Sequence, residues 1–368
     1  MPNLDKEDTR YLSRIMTMGS GTNLPVVMGP GELVRLIGVI YQDLGMGAQL
    51  KTEHPDLYEQ ILPTQGYYDM PQAWFLEPVS MEPDQHIALL FSGIQHIPDF
   101  KTYLHCLCEL HKRRQKYARI LQSQPLPAMV QIAPRALIEY GSQNTQALAS
   151  WLTWRKFFYD LDNRAAQETG YLFEPILAAA IGGTPQSAAS KVVRRTHEPS
   201  KGRQVDCWKV SGSGKPLAYE FKLRVTIAAS GQGRFKEEIS FAEDVHNAQA
   251  IPVLLVLDPT MNHRLAELQN AYEKRGGHAY LGDAAWKHLQ EEAGPTMARF
   301  IALHVRHPMQ TISEYEKHFD EDGNAHLRLL PLQALSERNE LILRIGAFER
   351  RISRMEDEDL SQDTGTED

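Results

Sequence analysis

Through most of the first 168 residues, apolar positions recur at three- and four-residue spacing. ELVRLIGVIYQDLG, DFKTYLHCLCELHKRRQKYARILQ and NTQALASWLTWRKFFYDLDNRAAQE each gather them on one side of a helix. Segments bearing Pro and Gly, PTQGYYDMPQ and SQPLPAM, punctuate these helices. The texture changes after about residue 170. YLFEPILAAAIGG predicts a short helix that ends at a Gly pair and that begins or kinks at Pro175. KVVRRTH, RQVDCWKV and PLAYEFKLRV predict short strands, followed by a polar turn, SGQGR, and a helix, FKEEISFAEDVHNA. IPVLLVLD is a continuous apolar run, the pattern of a strand buried on both faces. The helix NHRLAELQNAYEKRGG, the strand HAYLGD and the helix AAWKHLQEEA come next.

Strands meeting helices in this order predict an α/β (α+β) fold, a mixed sheet covered by helices on both faces and preceded by a large helical region. The expected divisions are a mainly helical region over 1–168, a sheet-bearing core with C-terminal helices over 169–354, and an acidic, disordered tail over 355–368. A length of 368 residues suits two domains, or one with a large embellishment.

Charge changes the picture when it is read locally. The 39 Lys and Arg against 47 Asp and Glu leave a formal charge of −8. The last fourteen residues hold seven acids and no base, so the rest of the chain carries only −1. Between Lys191 and Lys236 eleven bases face three acids, Glu198, Asp206 and Glu220, which points to a polyanionic partner. A second basic cluster, His111, Lys112, Arg113, Arg114, Lys116 and Arg119, is expected to complement a helix C-terminus, with phosphate binding as the alternative. No run of about 18 apolar residues occurs, so no membrane-spanning helix is expected. The opening MPNLDKEDTR lacks the basic and apolar blocks of a secretory signal, and a cytoplasmic protein is expected. Three cysteines, Cys106, Cys108 and Cys207, are too few for a disulfide framework or a zinc site and read as buried thiols. His304 and His307 read as a polar helix face, and Trp151 and Trp154 as core. SGSGKP lacks the spacing of a phosphate loop and reads as a hairpin turn.

The convincing chemistry lies in that hairpin. Leu217, Tyr219, Phe221, Leu223 and Val225 alternate with Ala218 and then with Glu220, Lys222 and Arg224, so the three charges share one face. Pairing Val210 with Pro216 around SGSGK would set Asp206 of the preceding strand directly opposite Glu220. Two opposed carboxylates repel, and a cation between them removes the conflict. Oxygen ligands with waters completing the shell suit Mg²⁺. Lys222 lies about 6 to 7 Å further along the same face, where its ammonium can hold water and offset charge on a phosphate. Such a set suits phosphodiester hydrolysis, with a metal lowering the pKa of water and neutralising the non-bridging oxygens.

Asp206 with Glu220-Phe221-Lys222, on adjacent strands after a helix that bears a glutamate, resembles the PD-(D/E)xK nuclease superfamily, to which many type II restriction endonucleases belong. Val205 stands where the superfamily name has proline. The resemblance implies a restriction-endonuclease-like core and a supporting role at the metal site for Glu174 on the preceding helix. FKLRVTIAASGQGRFKEE, VLLVLDP and LGDAAWKHLQEEAGPTMARF resemble ApaLI-like restriction endonucleases more closely. That likeness implies a homodimer cutting both strands of DNA at a palindromic site, GTGCAC, leaving 5′-phosphate and 3′-hydroxyl ends. It also implies a cognate DNA methyltransferase in the same system and no membrane partner.

Ser230, Gln232 and Arg234 in the polar turn are candidates for reading bases, since Gln can pair with adenine and Arg with guanine. Arg194, Arg195, Lys201 and Arg203 are candidates for phosphate contact, and Arg224 for either role or for pairing with Glu220. Two alternatives stay open: a repair or structure-specific nuclease, and a noncatalytic DNA-binding protein with a nuclease-like core.

Overall fold

The structure, a computed structural model, describes residues 5–19, 24–210, 214–223, 231–258, 263–315, 330–337 and 339–353; the side chains of 231–234, 263, 314 and 315 lie outside the description. The described residues form two compact units, one built from 30–107 and 173–310, the other from 2–29, 108–172 and 311–368.

In the first unit, helix α1 (Pro30–Asp43) buries every residue from Leu33 to Tyr41. Apart from Arg35, which pairs with Glu77 and stacks on Trp74, that stretch is apolar or Gly, which allows burial on all sides. Gly38 is needed there because a Cβ would stand 2.0 Å from the Ile61 carbonyl oxygen. Helix α2 (Phe100–Ser123) matches its sequence period. Helix α3 (Thr145–Ala180) is longer than expected: the two predicted helices are one of 36 residues, with Pro175 inside it. An internal proline costs about 3 kcal/mol. Ile176, Leu177, Ala178 and Ile181 are all buried beyond it, and each large apolar side chain returns roughly 1.5 to 3 kcal/mol. Burial therefore outweighs the break. The Gly pair ends the helix as expected: Gly182 has φ +74°, its N–H donates to the Ala179 carbonyl, and the Gly183 N–H donates to the Ala178 carbonyl.

Next come β1 (Thr184–Gln186), the hairpin of β2 (Val193–Arg195) with β3 (Glu198–Arg203), β4 (Val205–Lys209), β5 (Leu217–Lys222), α4 (Gly231–Asn247), β6 (Ile251–Val256), α5 (His263–Lys274), β7 (His278–Leu281) and α6 (Asp283–Phe300). Five strands form one mixed sheet in the order β1-β4-β5-β6-β7, antiparallel through β5 and parallel from β5 to β7. β6, between β5 and β7, is almost wholly buried, as its unbroken apolar run predicts. On one face Ala218, Leu254 and Val256 pack with Phe241 and Val245 of α4 and Leu265, Leu268 and Tyr272 of α5. On the other, Tyr219 and Tyr280 lie against His288 of α6.

Three expectations are corrected. The helix after β5 begins at Gly231, not Phe235, so the predicted polar turn is in part its first turn. His304 is not on a polar face; it is buried, its Nε2 lies 2.8 Å from Asp43 Oδ2, and the Tyr103 hydroxyl donates to the same oxygen at 2.8 Å. The acid that neighbours it is 261 residues away in sequence, beyond any local pattern. In the second unit Trp151 is half exposed, its indole donating to Glu139 at 2.9 Å, while Trp154 packs against Phe157 as expected.

In that second unit the basic cluster of α2 neither caps the helix nor faces outward as a whole. Lys112 and Lys116 are fully buried; Lys112 donates to the Arg14 and Thr17 carbonyls and to Glu109, and Glu168 pairs with Arg113 at 2.9 Å. Three strands, β8 (Leu332–Glu337), β9 (Glu340–Ile345) and β10 (Phe348–Ser353), form an antiparallel meander whose Leu341 and Ile352 pack with Leu121, Phe157 and Leu161. The sequence reading anticipated helices there. The acidic tail from Glu356 lies outside the described residues. All three cysteines are buried free thiols.

Candidate active site

The β4–β5 hairpin has the register that the five-residue loop predicts: Cys207 faces Tyr219, Trp208 faces Ala218 and Lys209 faces Leu217. Continuing that register by one residue sets Asp206 across from Glu220. The Phe221 N–H donates to Asp206 Oδ2 at 2.9 Å, which ties the buried carboxylate to the neighbouring strand. Lys222, two residues on, reaches Glu220 Oε1 at 2.6 Å. Glu174, six residues before the end of α3, joins these three around a cleft of about 470 Å³. Arg195, Arg203, Gln204, Glu237, Glu238 and Phe241 complete its lining.

The electrostatics of the cleft are those of crowded acids. Burial, then Glu220 and Glu174, hold the Asp206 carboxyl well above its ordinary range, against the Phe221 N–H and Lys222. Burial also raises Glu220, opposed by Lys222 and reinforced by Glu238. Glu174 is pushed up to about 7, first by burial and then by Glu220, with Lys222 pulling the other way. Burial alone would lower the Lys222 pKa, but Glu220 and Glu238 outweigh it and push it up. The ammonium therefore stays charged among carboxylates that resist full ionisation.

This donor set suits a hard divalent cation. It offers several carboxylates and no thiolate, and its acids are destabilised by one another in a way that bound positive charge relieves. Glu238 Oε2 is a buried oxygen without a hydrogen-bond partner among the described residues. Among those residues no three His, Cys, Asp or Glu side chains are already gathered as a metal cluster.

The expected DNA contacts are placed unevenly. Arg224 and Ser230 lie outside the described residues. Gln232 and Arg234 fall in the first turn of α4, and their side chains are outside the description. Arg195 lines the cleft and pairs with Glu237 at 2.8 Å. Arg194 donates to the Pro199 carbonyl at 3.0 Å, and Lys201 is an exposed partner of Glu198 at 2.8 Å. Arg203 is different: it is buried, held by Asp244 at 2.5 Å and by Ser240 at 2.7 Å, and it braces β3 against α4. Glu238 and Asp244 were not singled out from sequence. Their spacing on α4 looks like an ordinary charged helix face, and only the packing of α4 on the sheet turns them inward.

Residues 55–306 match the family model of ApaLI-like restriction endonucleases. The type II restriction enzyme ApaLI of Acetobacter pasteurianus is 52% identical over 363 residues, spanning 98% of this chain and 97% of that protein.

Proposed function

This chain belongs to the ApaLI-like restriction endonuclease family, and from that membership we propose that Asp206, Glu220, Lys222 and Glu174 are the active site of a type II restriction enzyme. The protein is an endodeoxyribonuclease that hydrolyses phosphodiester bonds of double-stranded DNA at a specific sequence. What supports the residue assignment is the pairing of β4 with β5, which sets two carboxylates and an ammonium on one cleft.

In this reading Asp206 and Glu220 hold a divalent cation, assigned as Mg²⁺, and Glu174 supports it from α3. When bound, such an ion supplies charge neutralisation at the phosphate and a lowered pKa for nearby water. Lys222 orients the attacking water and faces the charge that builds on the phosphate. In-line attack then releases the 3′ oxygen, leaving a 3′-hydroxyl and a 5′-phosphate. Phosphate contact is assigned to Arg194, Arg195 and Lys201, with Arg203 as their brace, and base reading to Ser230, Gln232 and Arg234, with Arg224 in either role. The region 1–168 is assigned to embracing DNA or to dimerisation. A homodimer acting at GTGCAC, in a cytoplasm where a cognate methyltransferase protects that sequence, completes the proposal. No helix among the described residues is long and apolar enough to cross a membrane.

The test is to digest plasmid DNA with Mg²⁺ and sequence the fragment ends. Cutting at one repeated sequence is expected, with GTGCAC at the cut. Asp206→Ala and Glu220→Ala should abolish cleavage and keep sequence-specific binding. Equal cutting by these variants and the wild type would end the catalytic assignment, and random nicking would favour a repair nuclease.

A further inference from the structure

Lys222 has two carboxylate partners on two different elements. Glu220, on its own strand, lies at 2.6 Å, and Glu238, from α4, lies at 3.0 Å. The adjacent Glu237 is employed elsewhere, pairing with Arg195 at 2.8 Å and Arg203 at 3.3 Å. Only one oxygen of Glu238 is used: Oε1 meets the ammonium, while Oε2 is buried without a partner among the described residues. The Tyr272 hydroxyl is likewise buried and partnerless there. Burial and then the charges of Glu220, Glu238 and Asp206 raise its pKa.

The two partners of Lys222 cannot keep equal shares once a divalent cation is bound. A cation on Glu220 takes that carboxylate's charge and repels the ammonium beside it. A largely buried ammonium left without a counter-charge is strongly destabilised. Glu238 is the remaining acid within reach, and its unused Oε2 gives it a second acceptor for an ammonium that has three donors.

We propose that Glu238 is the positioning residue of Lys222: it takes over the ammonium when Glu220 turns to the cation, and so keeps the lysine aimed at the cleft. The inference rests on the reading of Asp206 and Glu220 as cation ligands. Glu238 acts through Lys222 and does not itself ligate the ion. Without it, Lys222 falls back on Glu220 and competes with the cation for that carboxylate.

The experiment measures Mn²⁺ binding to the full chain without DNA, by electron paramagnetic resonance, alongside cleavage kinetics and a melting curve for each variant. Glu238→Gln should weaken Mn²⁺ binding by about tenfold or more, a loss of about 1.4 kcal/mol at the least. Adding Lys222→Met to Glu238→Gln should restore binding, because the competitor is gone. Glu238→Gln alone should lower kcat with little change in KM for DNA. Wild-type Mn²⁺ binding by Glu238→Gln overturns the inference. Failure of Lys222→Met to restore binding also overturns it, since Glu238 would then be a ligand. Asp206→Asn and Glu220→Gln serve as the control: if neither weakens Mn²⁺ binding, the site reading fails and this inference falls with it, whereas a failure confined to Glu238 leaves the site reading standing.

Discussion

Glu174 is a half-buried carboxyl whose pKa is pushed up to about 7 by burial and by Glu220. An unfolded chain returns it to 4.5, so between roughly pH 4.5 and 7 the folded protein binds a proton that the unfolded chain has released. Its effect therefore runs opposite to that of a salt-bridged acid: stability is lost as pH rises through this window, and the full cost is present above about 7. At about 1.4 kcal/mol per unit of pKa, that cost is at most roughly 3.5 kcal/mol. Glu174→Gln should raise the melting temperature of the metal-free protein at pH 8 and change it much less at pH 5. Added Mg²⁺ should stabilise the wild type at pH 8 more than it stabilises Glu174→Gln. A melting series over pH with and without Mg²⁺ checks both. An equal shift at both pH values would show that Glu174 does not carry a raised pKa.

The elements that present these residues are held by close contacts as much as by hydrogen bonds. Gly183 follows the C-terminus of α3, and a Cβ there would lie 2.2 Å from Cys207 Sγ and 3.2 Å from the Trp208 carbonyl oxygen. Cys207 is the neighbour of Asp206 on β4, so a larger residue at 183 pushes on the strand that carries the first carboxylate. Gly183→Ala should cost about 1 to 3 kcal/mol, the usual price of overpacking, and lower cleavage with it. Cys207→Ala in the same chain should return part of both, because the shorter side chain removes the nearer contact. Chemical denaturation of the wild type and the two variants measures this, and an unchanged midpoint for Gly183→Ala would show that the strand has room to move. At this scale much was legible in the chain: strict alternation over 217–225 and a five-residue loop predicted both the β4–β5 hairpin and its register. The continuity of α3 through Pro175 was not, because a proline's local penalty is visible in sequence and the burial that outweighs it is not. The β8–β10 meander was missed for a related reason. Leu341, Ile342 and Leu343 form a short apolar run without clean alternation, so only their packing partners distinguish strand from helix.

For the whole molecule, charge is distributed against its average. Deleting residues 355–368 removes seven acids and takes the formal charge from −8 to −1. In the proposed function, the exposed bases between Lys191 and Lys236, such as Lys201, then meet DNA with less opposing charge. The truncated chain should bind non-cognate DNA more tightly at low salt, and the difference should fade as ionic strength rises. Filter binding across a salt series checks this, and identical salt curves would mean that the tail does not act on the DNA surface. What the sequence by itself determined is local: a hairpin whose period-two pattern puts Glu220 and Lys222 on one face opposite Asp206, an apolar strand buried on both faces, and a helix stopped by a Gly pair. These follow from spacing along the chain, because strand pleat and loop length act over a few residues. Tertiary structure alone decided that α4 turns Glu238 onto Lys222 and Asp244 onto Arg203, and that Asp43 meets His304. Those pairings depend on how elements pack, and packing joins positions whose separation in sequence carries no signal.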